Sequence, residues 1–288
     1  MLEVLHLSSL TKYFDSGPRT KTAPSSTLPL PTDAQLEAES QPLAPDDVEA
    51  NGEEAIPLEQ SGDMGRTFDD TFVKPEGRTG DALAQIIAIV SVAVFLVTTW
   101  IVTFLSGSSY LWFAWHPLLL SSSIALFTYG VLTLQPTSQA KTKVAGLVRH
   151  QLAMIVLGVP AALLGFLAVF FTKIAHDRPH FTSWHGLFGI ITVGLLVLQV
   201  ILGGGSVWFN GALFGGNPQA KLLWKYHRAV GYATFCFLLL TAHLGGAWSN
   251  WSKEHSEYIP RVLAYTFAPV ALIVSVFFRM RTSKMQFF

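Results

Sequence analysis

Six apolar stretches separated by short polar segments follow residue 81. Each is close to the ~20 residues that a helix needs to cross the hydrocarbon core of a bilayer. The first holds 24 residues without a charge, and the sixth is interrupted by Pro269. The stretches run approximately over Ala82–Leu105, Leu111–Leu134, Leu147–Phe171, Phe181–Leu202, Leu223–Ala247 and Val262–Phe278. Backbone groups in lipid must be satisfied internally, so the pattern predicts a bundle of six membrane-spanning helices.

The residues before the first stretch have the opposite character. Residues 1–81 hold 16 of the 19 acidic residues but only 6 of the 19 basic ones, together with Pro- and Ser-rich segments. Such a composition cannot bury enough apolar surface to fold, which predicts a disordered acidic cytosolic leader over 1–81. Residues 82–280 are then the transmembrane domain, and 281–288 a short basic cytosolic tail. The single cysteine, Cys236, excludes an intrachain disulfide and effectively excludes thiolate-bound metal or iron–sulfur sites.

The distribution of Lys and Arg predicts the orientation in the membrane. Positively charged residues near the membrane accumulate on the cytosolic side. With a cytosolic N-terminus, eleven lie on the cytosolic side and four on the outer side. We therefore expect a multi-pass membrane protein with both termini in the cytosol. The sequence does not select among endomembrane, vacuolar and plasma membranes.

Four histidines lie near the starts of the second to fifth stretches. Ionisable side chains at membrane depth are costly and are therefore functional candidates. Because successive spans alternate in direction, His116 and His185 are predicted near the outer face, and His150 and His227 near the inner face. The first and sixth stretches carry no histidine and are expected to be peripheral.

Paired histidines at two depths favour haem as the cofactor. Neutral imidazole is an axial ligand of haem iron, and two histidines leave no open position, so such iron carries electrons. The predicted fold is thus an all-α membrane protein whose central four-helix bundle holds two haems. Electrons would pass from the inner pair to the outer pair.

Small residues recur on the histidine-bearing faces. Helix offsets of four and seven return to the same face. The fourth and fifth stretches share one spacing, His185–Gly189–Thr192 and His227–Gly231–Thr234, and the second stretch has Ser123 at offset seven from its histidine. Glycine at these positions would leave room for a flat macrocycle, although close helix packing alone also favours small residues.

Further polar residues flank the two predicted histidine levels. An inner cationic set is expected to attract an anionic donor or to pair with haem propionates, unless it only reflects the positive-inside bias. It comprises Lys141, Lys143, Arg149, Lys225 and Arg228. On the outer side, His176 and His180 are candidate contacts for an electron acceptor, with a solvated loop as the alternative. His243, about 160° from the face of His227 at 100° per residue, is expected at an outer helix interface, and His255 in a solvated loop.

Several motifs around the histidines resemble the cytochrome b561 family. They are Trp115-His116-Pro117, Arg149-His150, His180-x2-Ser183-Trp184-His185-Gly186 and Lys225-Tyr226-His227. The resemblance implies six helices, two b-type haems, and electron transfer from cytosolic ascorbate to monodehydroascorbate or a ferric chelate. It also implies contact with membrane lipid and a possible homodimer, with no nucleic-acid partner. The loop over 135–143 lacks the long basic signature of better-studied members, so the chain resembles the shorter, single-domain branch.

Two functions from other classes compete with this interpretation. A transporter using the four histidines as a proton or metal-ion relay would be expected to have acidic partners within the membrane, and the second to fifth stretches contain none. A non-catalytic scaffold that recruits partners through the acidic leader would leave the matched histidine positions unexplained.

Overall fold

Six membrane-length helices form the body of the protein. The structure, a computed structural model, describes residues 76–107 and 111–285. Within these residues the chain forms helices and turns without a β-strand, and six helices are long and apolar enough to cross a membrane. The predicted all-α fold with six transmembrane helices is therefore confirmed. Spans 1 to 6 are, in order, Asp81–Leu105, Trp112–Leu134, Ala140–Ala175, Trp184–Phe214, Gln219–Trp248 and Tyr258–Phe278.

Several spans combine α-helix with tighter or wider turns. The α-helices are α1 Asp81–Leu105, α2 Leu111–Leu134, α3 Ala140–Gln151, α4 Val159–Ala175, α5 Trp184–Val207, α6 Trp224–Trp248, α7 Asn250–His255, α8 Tyr258–Val262 and α9 Ala268–Phe278. Two π-helical turns, Leu152–Gly158 and Leu263–Phe267, lie inside spans 3 and 6. Short 3-10 helices occupy Trp208–Phe214, Gln219–Leu223 and Thr282–Met285.

Span 3 is longer than its apolar pattern predicts. The pattern covers Leu147–Phe171, whereas the helix begins at Ala140 and ends at Ala175. Helical hydrogen bonding continues past the point where hydropathy falls, because a polar side chain does not interrupt the backbone ladder. Lys141 and Lys143 therefore lie in the first turn of a helix and not in a loop.

The histidine-bearing spans pack as two pairs, with spans 1 and 6 beside them. Span 2 packs on span 3, span 4 on span 5, and span 1 on spans 2 and 6. Buried apolar side chains fill the interface of spans 1, 2, 5 and 6, including Phe95, Ile124, Leu239 and Leu272. Spans 1 and 6 thus support one side of the histidine-bearing set, as their lack of histidines suggested.

Each π-helical turn meets a polar side chain from a neighbouring span. A π turn holds one extra residue and leaves a carbonyl available outside the regular α-helical ladder. Ser123 Oγ donates to the Gly158 carbonyl at 2.8 Å, and His243 Nδ1 donates to the Tyr265 carbonyl at 2.8 Å. His243 therefore faces span 6, which confirms its predicted place at a helix interface.

A polar clasp joins the two ends of the described chain. Arg281 forms an ion pair with Asp81 at 2.9 Å and donates to the Glu76 carbonyl at 3.0 Å, while Arg78 donates to the Phe278 carbonyl at 2.6 Å. The structure therefore places residues 76–81 with the membrane body, although the sequence assigned them to the leader. The remainder of the predicted leader, residues 1–75, lies outside the described residues.

Candidate functional site

The structure brings the four histidines of spans 2 to 5 together as two facing pairs. The ring centroids of His116 and His185 are 5.8 Å apart, with the ring planes at 84°. Those of His150 and His227 are 6.4 Å apart, at 89°. The partners in each pair are those that alternating span direction predicts. Each pair bridges the two helix pairs, because one member comes from spans 2 and 3 and the other from spans 4 and 5.

Hydrogen bonds from Nδ1 to the main chain fix the orientation of three rings. Nδ1 of His116 lies 3.0 Å from the Gly165 carbonyl, and Nδ1 of His150 lies 3.0 Å from the Gly130 carbonyl. Nδ1 of His185 lies 2.9 Å from the Thr241 carbonyl. A carbonyl oxygen only accepts, so Nδ1 carries the proton and Nε2 of the neutral ring keeps its lone pair. This tautomer is the one that a metal ligand requires.

Gln199 holds the fourth ring. Nδ1 of His227 lies 2.9 Å from the terminal amide group of Gln199. The ring also forms a hydrogen bond with the Gln199 main chain. His227 is therefore anchored to span 4, as His185 is anchored to span 5.

The four main-chain partners follow one rule of spacing. Gly130, Gln199 and Thr241 each lie 14 residues after the histidine of their own helix, and each contacts the histidine of the neighbouring helix. In span 3 the interval from His150 to Gly165 is 15 residues. The extra residue matches the π turn Leu152–Gly158, which lies inside that interval. The two histidine levels are thus separated by roughly 21 Å, at ~1.5 Å of helix rise per residue.

Two glycines make room for imidazole rings on spans 4 and 5. A Cβ on Gly203 would lie 2.6 Å from Cε1 of His227, and a Cβ on Gly245 would lie 2.7 Å from Cε1 of His185. Each glycine follows the histidine of its own span by 18 residues. The sequence analysis missed both, although this repeated interval from histidine to glycine was a usable signal.

The geometry of both pairs fits a metal ion between the two rings. Metal–nitrogen bonds of ~2.0–2.1 Å to two opposed imidazoles place the ring centres roughly 6 Å apart. The observed separations of 5.8 and 6.4 Å bracket that value. No cluster of three or more His, Cys, Asp or Glu side chains in the described residues suits a metal ion by itself. Two protein ligands suit a metal whose other ligands come from a macrocycle, and haem meets that requirement.

The small residues near the histidines pack helices together. A Cβ on Gly189 would lie 3.7 Å from Thr241 Cγ2, and one on Gly231 would lie 3.2 Å from Gln199 Oε1. Ser123 is fully buried and bonded to span 3. These contacts favour the alternative that the sequence left open, close packing between spans.

The inner cationic residues have different partners. Arg149 Nε donates to Thr133 Oγ1 at 2.6 Å, and Lys225 Nζ lies 5.3 Å from the centre of the Tyr226 ring. Arg228 donates to the Lys284 carbonyl from span 5.

Lys284 and Glu76 are inner-face residues that the sequence analysis did not select. Burial, followed by repulsion from Arg228, Lys143 and Arg281, lowers the pKa of Lys284. Desolvation favours a neutral Glu76, but hydrogen bonds from 138, 139 and 142 outweigh it and lower the pKa of Glu76 from 4.5 to about 2. A cationic group of four side chains, with one carboxylate beside it, therefore lies at the inner end of the bundle.

The outer candidates, His176 and His180, lie between spans 3 and 4. His176 Nδ1 lies 2.7 Å from the Thr172 carbonyl, and both His176 and its surroundings are exposed. The His180 ring centre is 4.5 Å from that of Phe170.

Comparison with known proteins assigns the chain to a family. A model of eukaryotic cytochrome b561 matches residues 115–253, which include all four paired histidines. The transmembrane reductase CYB561D2 of Bos taurus is 30% identical over 151 residues, which cover 47% of this chain and 67% of the relative. The chain belongs to the cytochrome b561 family. Membership implies haem b binding and an oxidoreductase that transfers electrons within a membrane.

Proposed function

We propose that the protein is a transmembrane oxidoreductase that moves single electrons from cytosolic ascorbate to monodehydroascorbate or ferric iron on the opposite side. Two haem b groups are the proposed cofactors. The single observation that carries the proposal is the pair of histidine levels, with ring separations of 5.8 and 6.4 Å. Two levels separated by about 21 Å of helix account for most of the hydrocarbon thickness of ~30 Å.

The proposed axial ligands are His116 with His185, and His150 with His227. Haem iron held by two imidazoles alternates between ferric and ferrous forms without binding oxygen. The protein contributes the fixed Nδ1–H tautomer, which directs each Nε2 lone pair away from its anchoring carbonyl. It also excludes bulk from the rings through Gly203 and Gly245, which bear no side chain where the imidazoles stand.

The inner cationic group supports an anionic electron donor on that side. Lys143, Arg228 and Arg281 lie near enough to Lys284 to lower its pKa. Clustered positive charge raises the local concentration of an anion such as ascorbate. Lys225 and Arg149, on either side of the inner histidine pair in sequence, are further proposed contacts with donor or haem propionates.

The orientation and the outer partner complete the proposal. The excess of Lys and Arg on one side, eleven against four, supports cytosolic termini and an inner donor site. His176 and His180 are proposed contacts for the acceptor between spans 3 and 4. The cytosolic assignments of the leader 1–81 and of the tail 281–288 belong to the same proposal.

Electron transfer across a sealed vesicle tests this function. The full-length protein, loaded with haem, is reconstituted in vesicles containing ascorbate, and reduction of external ferricyanide is followed optically. We expect reduction by wild type and loss of reduction in His150→Ala, with His243→Ala as the matched histidine control. Haem-free protein that moves protons or metal ions through the four histidines would overturn the proposal in favour of the transporter.

A further inference from the structure

We propose that a ferric polycarboxylate chelate binds in an outer cavity between the end of span 1 and α7–α8, and receives its electron through a series of aromatic rings. The series runs from His116 through Phe113 and Trp251 to His255. This inference rests on the proposed function, because the electron must first reach the outer histidine pair. It assigns an acceptor site separate from His176 and His180.

The rings form a continuous series from the histidine pair to the surface. The Phe113 ring stacks on His116 with centroids 6.1 Å apart and planes at 30°. Phe113 and Trp251 are 5.3 Å apart, and Trp251 and His255 are 5.2 Å apart with planes at 27°. His255 is exposed, whereas Phe113 and Trp251 are partly buried. The series therefore begins beside the outer histidine pair and ends in solvent.

The helix that carries Trp251 is fixed to span 5. Ser252 is almost fully buried, and its hydroxyl donates to the Gly246 carbonyl near the end of span 5. The Ser249 hydroxyl accepts from the backbone N–H of Ser252 at 3.1 Å, which caps α7. Trp251 is held by these bonds on both sides, so its contact with Phe113 is part of the fold.

The end of the ring series lies in the wall of a cavity. The cavity has a volume of about 570 Å³, within the range of small-molecule sites. It is lined by Lys253, Glu254, His255, Glu257 and Arg261, with Leu105 and Ser106 from the end of span 1. Its lining therefore combines cations, carboxylates and an imidazole.

Arg261 provides an orphaned polar group in this wall. Its Nη1 donates to the Ser256 carbonyl at 3.3 Å, and its guanidinium lies 5.8 Å from the Tyr258 ring centre. Its Nε is buried without a hydrogen-bond acceptor among the described residues. A buried donor is costly to leave unsatisfied, and a carboxylate ligand would satisfy it.

The mixed lining selects the class of acceptor. Lys253 and Arg261 suit the carboxylates of a chelator, while the imidazole and the carboxylates of Glu254 and Glu257 suit iron. The described residues offer no ready cluster for a bare metal ion, so the chelator must supply part of the coordination. A ferric polycarboxylate such as ferric citrate meets both requirements. An organic radical anion would use the cations alone.

The step is a one-electron transfer without bond rearrangement. Iron in the chelate is reduced from ferric to ferrous, and the redox centre at the outer histidine pair is oxidised by one electron. No proton is transferred and no covalent bond to the protein forms. The four rings provide closely spaced aromatic contacts for the electron, and the cavity holds the acceptor beside the last ring.

Reoxidation kinetics in single variants test the ring series. Full-length, haem-loaded protein in nanodiscs is reduced anaerobically and mixed with ferric citrate, and the haem absorbance is followed. We expect reoxidation to be about tenfold slower in Trp251→Leu, a factor that corresponds to ~1.4 kcal/mol in the barrier. His255→Ala should also be slower. Trp112→Leu, which changes an exposed tryptophan beside Phe113 but outside the ring series, should behave like wild type.

Binding of a redox-inert probe tests the cavity independently of electron transfer. Gallium(III) citrate is titrated into the same nanodiscs by calorimetry. Lys253→Glu should weaken its binding about tenfold by charge reversal, whereas Lys173→Glu and Trp251→Leu should leave it unchanged. Absence of saturable binding that depends on Lys253 would overturn the site even if the protein held no haem.

The kinetic outcomes separate this inference from the proposed function. Protein that holds no haem would contradict the proposed function. Haem that is reduced normally, with equal ferric citrate reoxidation in wild type, Trp251→Leu and His255→Ala, would overturn the ring series alone. Slowing confined to His180→Ala would do the same, because the acceptor would then use the loop between spans 3 and 4.

Discussion

Gly203 lies against the ring of His227 so closely that a Cβ on Gly203 would be 2.6 Å from Cε1 of that ring. Gly245 has the same relationship to His185, at 2.7 Å. Real Cβ atoms essentially never approach a neighbour to this distance, so the imidazole must move if either glycine gains a side chain. The glycines are therefore part of what orients the histidines, although they carry no chemistry themselves.

Gly203→Ala should weaken haem binding at the inner pair. Displacing His227 disturbs both its Nε2 direction and its bond to Gln199, and we expect affinity for that haem to fall ~10–100-fold, the cost typical of lost support around a metal ligand. Haem per chain and the low-spin absorbance spectrum measure the effect. Gly194→Ala is the matched control, because a Cβ there meets no atom within 4 Å. Equal haem content in the two variants would contradict the prediction.

Double variants test which histidines share a cofactor. His116→Ala with His185→Ala removes both members of one pair, and we expect one haem per chain to remain. His116→Ala with His150→Ala removes one member of each pair, and we expect both haems to be lost. Haem is quantified on purified protein, with His243→Ala retaining wild-type content. The same residual haem in both double variants would show that the pairing is wrong.

Ser123→Ala should destabilise the contact between spans 2 and 3. Its hydroxyl donates to the Gly158 carbonyl inside the π turn at 2.8 Å and is fully buried. Interhelical hydrogen bonds in membrane proteins contribute ~0.6 kcal/mol on average and at most ~1.7 kcal/mol, and we expect a loss in that range. Thermal unfolding in detergent measures it. Ser122→Ala, whose hydroxyl bonds to Leu118 of its own helix, should be closer to wild type.

Glu76→Gln should remove an acid-sensitive part of the stability. The pKa of Glu76 is lowered from 4.5 to about 2, so its ionised form is favoured by the folded state. The stabilisation is present above pH 4.5 and is lost as the pH falls towards about 2. Thermal unfolding between these values should therefore be steeper with pH in wild type than in the variant. Glu254→Gln, on an exposed outer residue, should retain the wild-type slope.

Neutral-pH stability gives a second measure of the same residue. Glu76 accepts from Ser138 N, Ser138 Oγ, Gln139 N and Thr142 Oγ1 at 2.6 to 2.9 Å. Replacing the carboxylate by an amide keeps the shape but weakens these charge-assisted bonds, and we expect a loss of ~1 kcal/mol in the free energy of unfolding. An unchanged melting temperature at pH 7 would mean that the loop over 138–142 holds its position without Glu76.

Much of the membrane architecture could be predicted from local sequence. Six apolar stretches define six spans because the bilayer imposes both a length and a polarity on each helix. The facing of His116 with His185, and of His150 with His227, followed from the alternation of span direction alone. These features depend on one stretch at a time or on simple parity.

The features that orient the histidines could not be derived in that way. The π turn over Leu152–Gly158 adds one residue to an interval that is otherwise 14, and nothing in its apolar composition distinguishes it from an α-helix. Its register is explained by Ser123 on a different helix. Likewise, Gly203 and Gly245 matter because of a ring on the neighbouring span, which is visible only once the helices are paired.

The inner surface was also only partly predictable. Composition assigned Glu76 to an acidic leader, yet its hydrogen bonds join it to the start of span 3. Lys284 was counted as a basic tail residue, whereas its Nζ donates to the Thr137 carbonyl at 2.6 Å. Charge statistics identify which side a residue occupies, but the partner of each charge depends on how the chain ends fold back on the bundle.

The absorbance spectrum of the purified protein, before and after addition of ascorbate and with haem quantified per chain, tests the central proposal most directly. We predict two haem b groups per chain with low-spin spectra, both reduced by ascorbate. Two haems reduced only by dithionite would retain the histidine sites and contradict the donor. No bound haem, in protein produced with an ample haem supply, would contradict the proposed function itself.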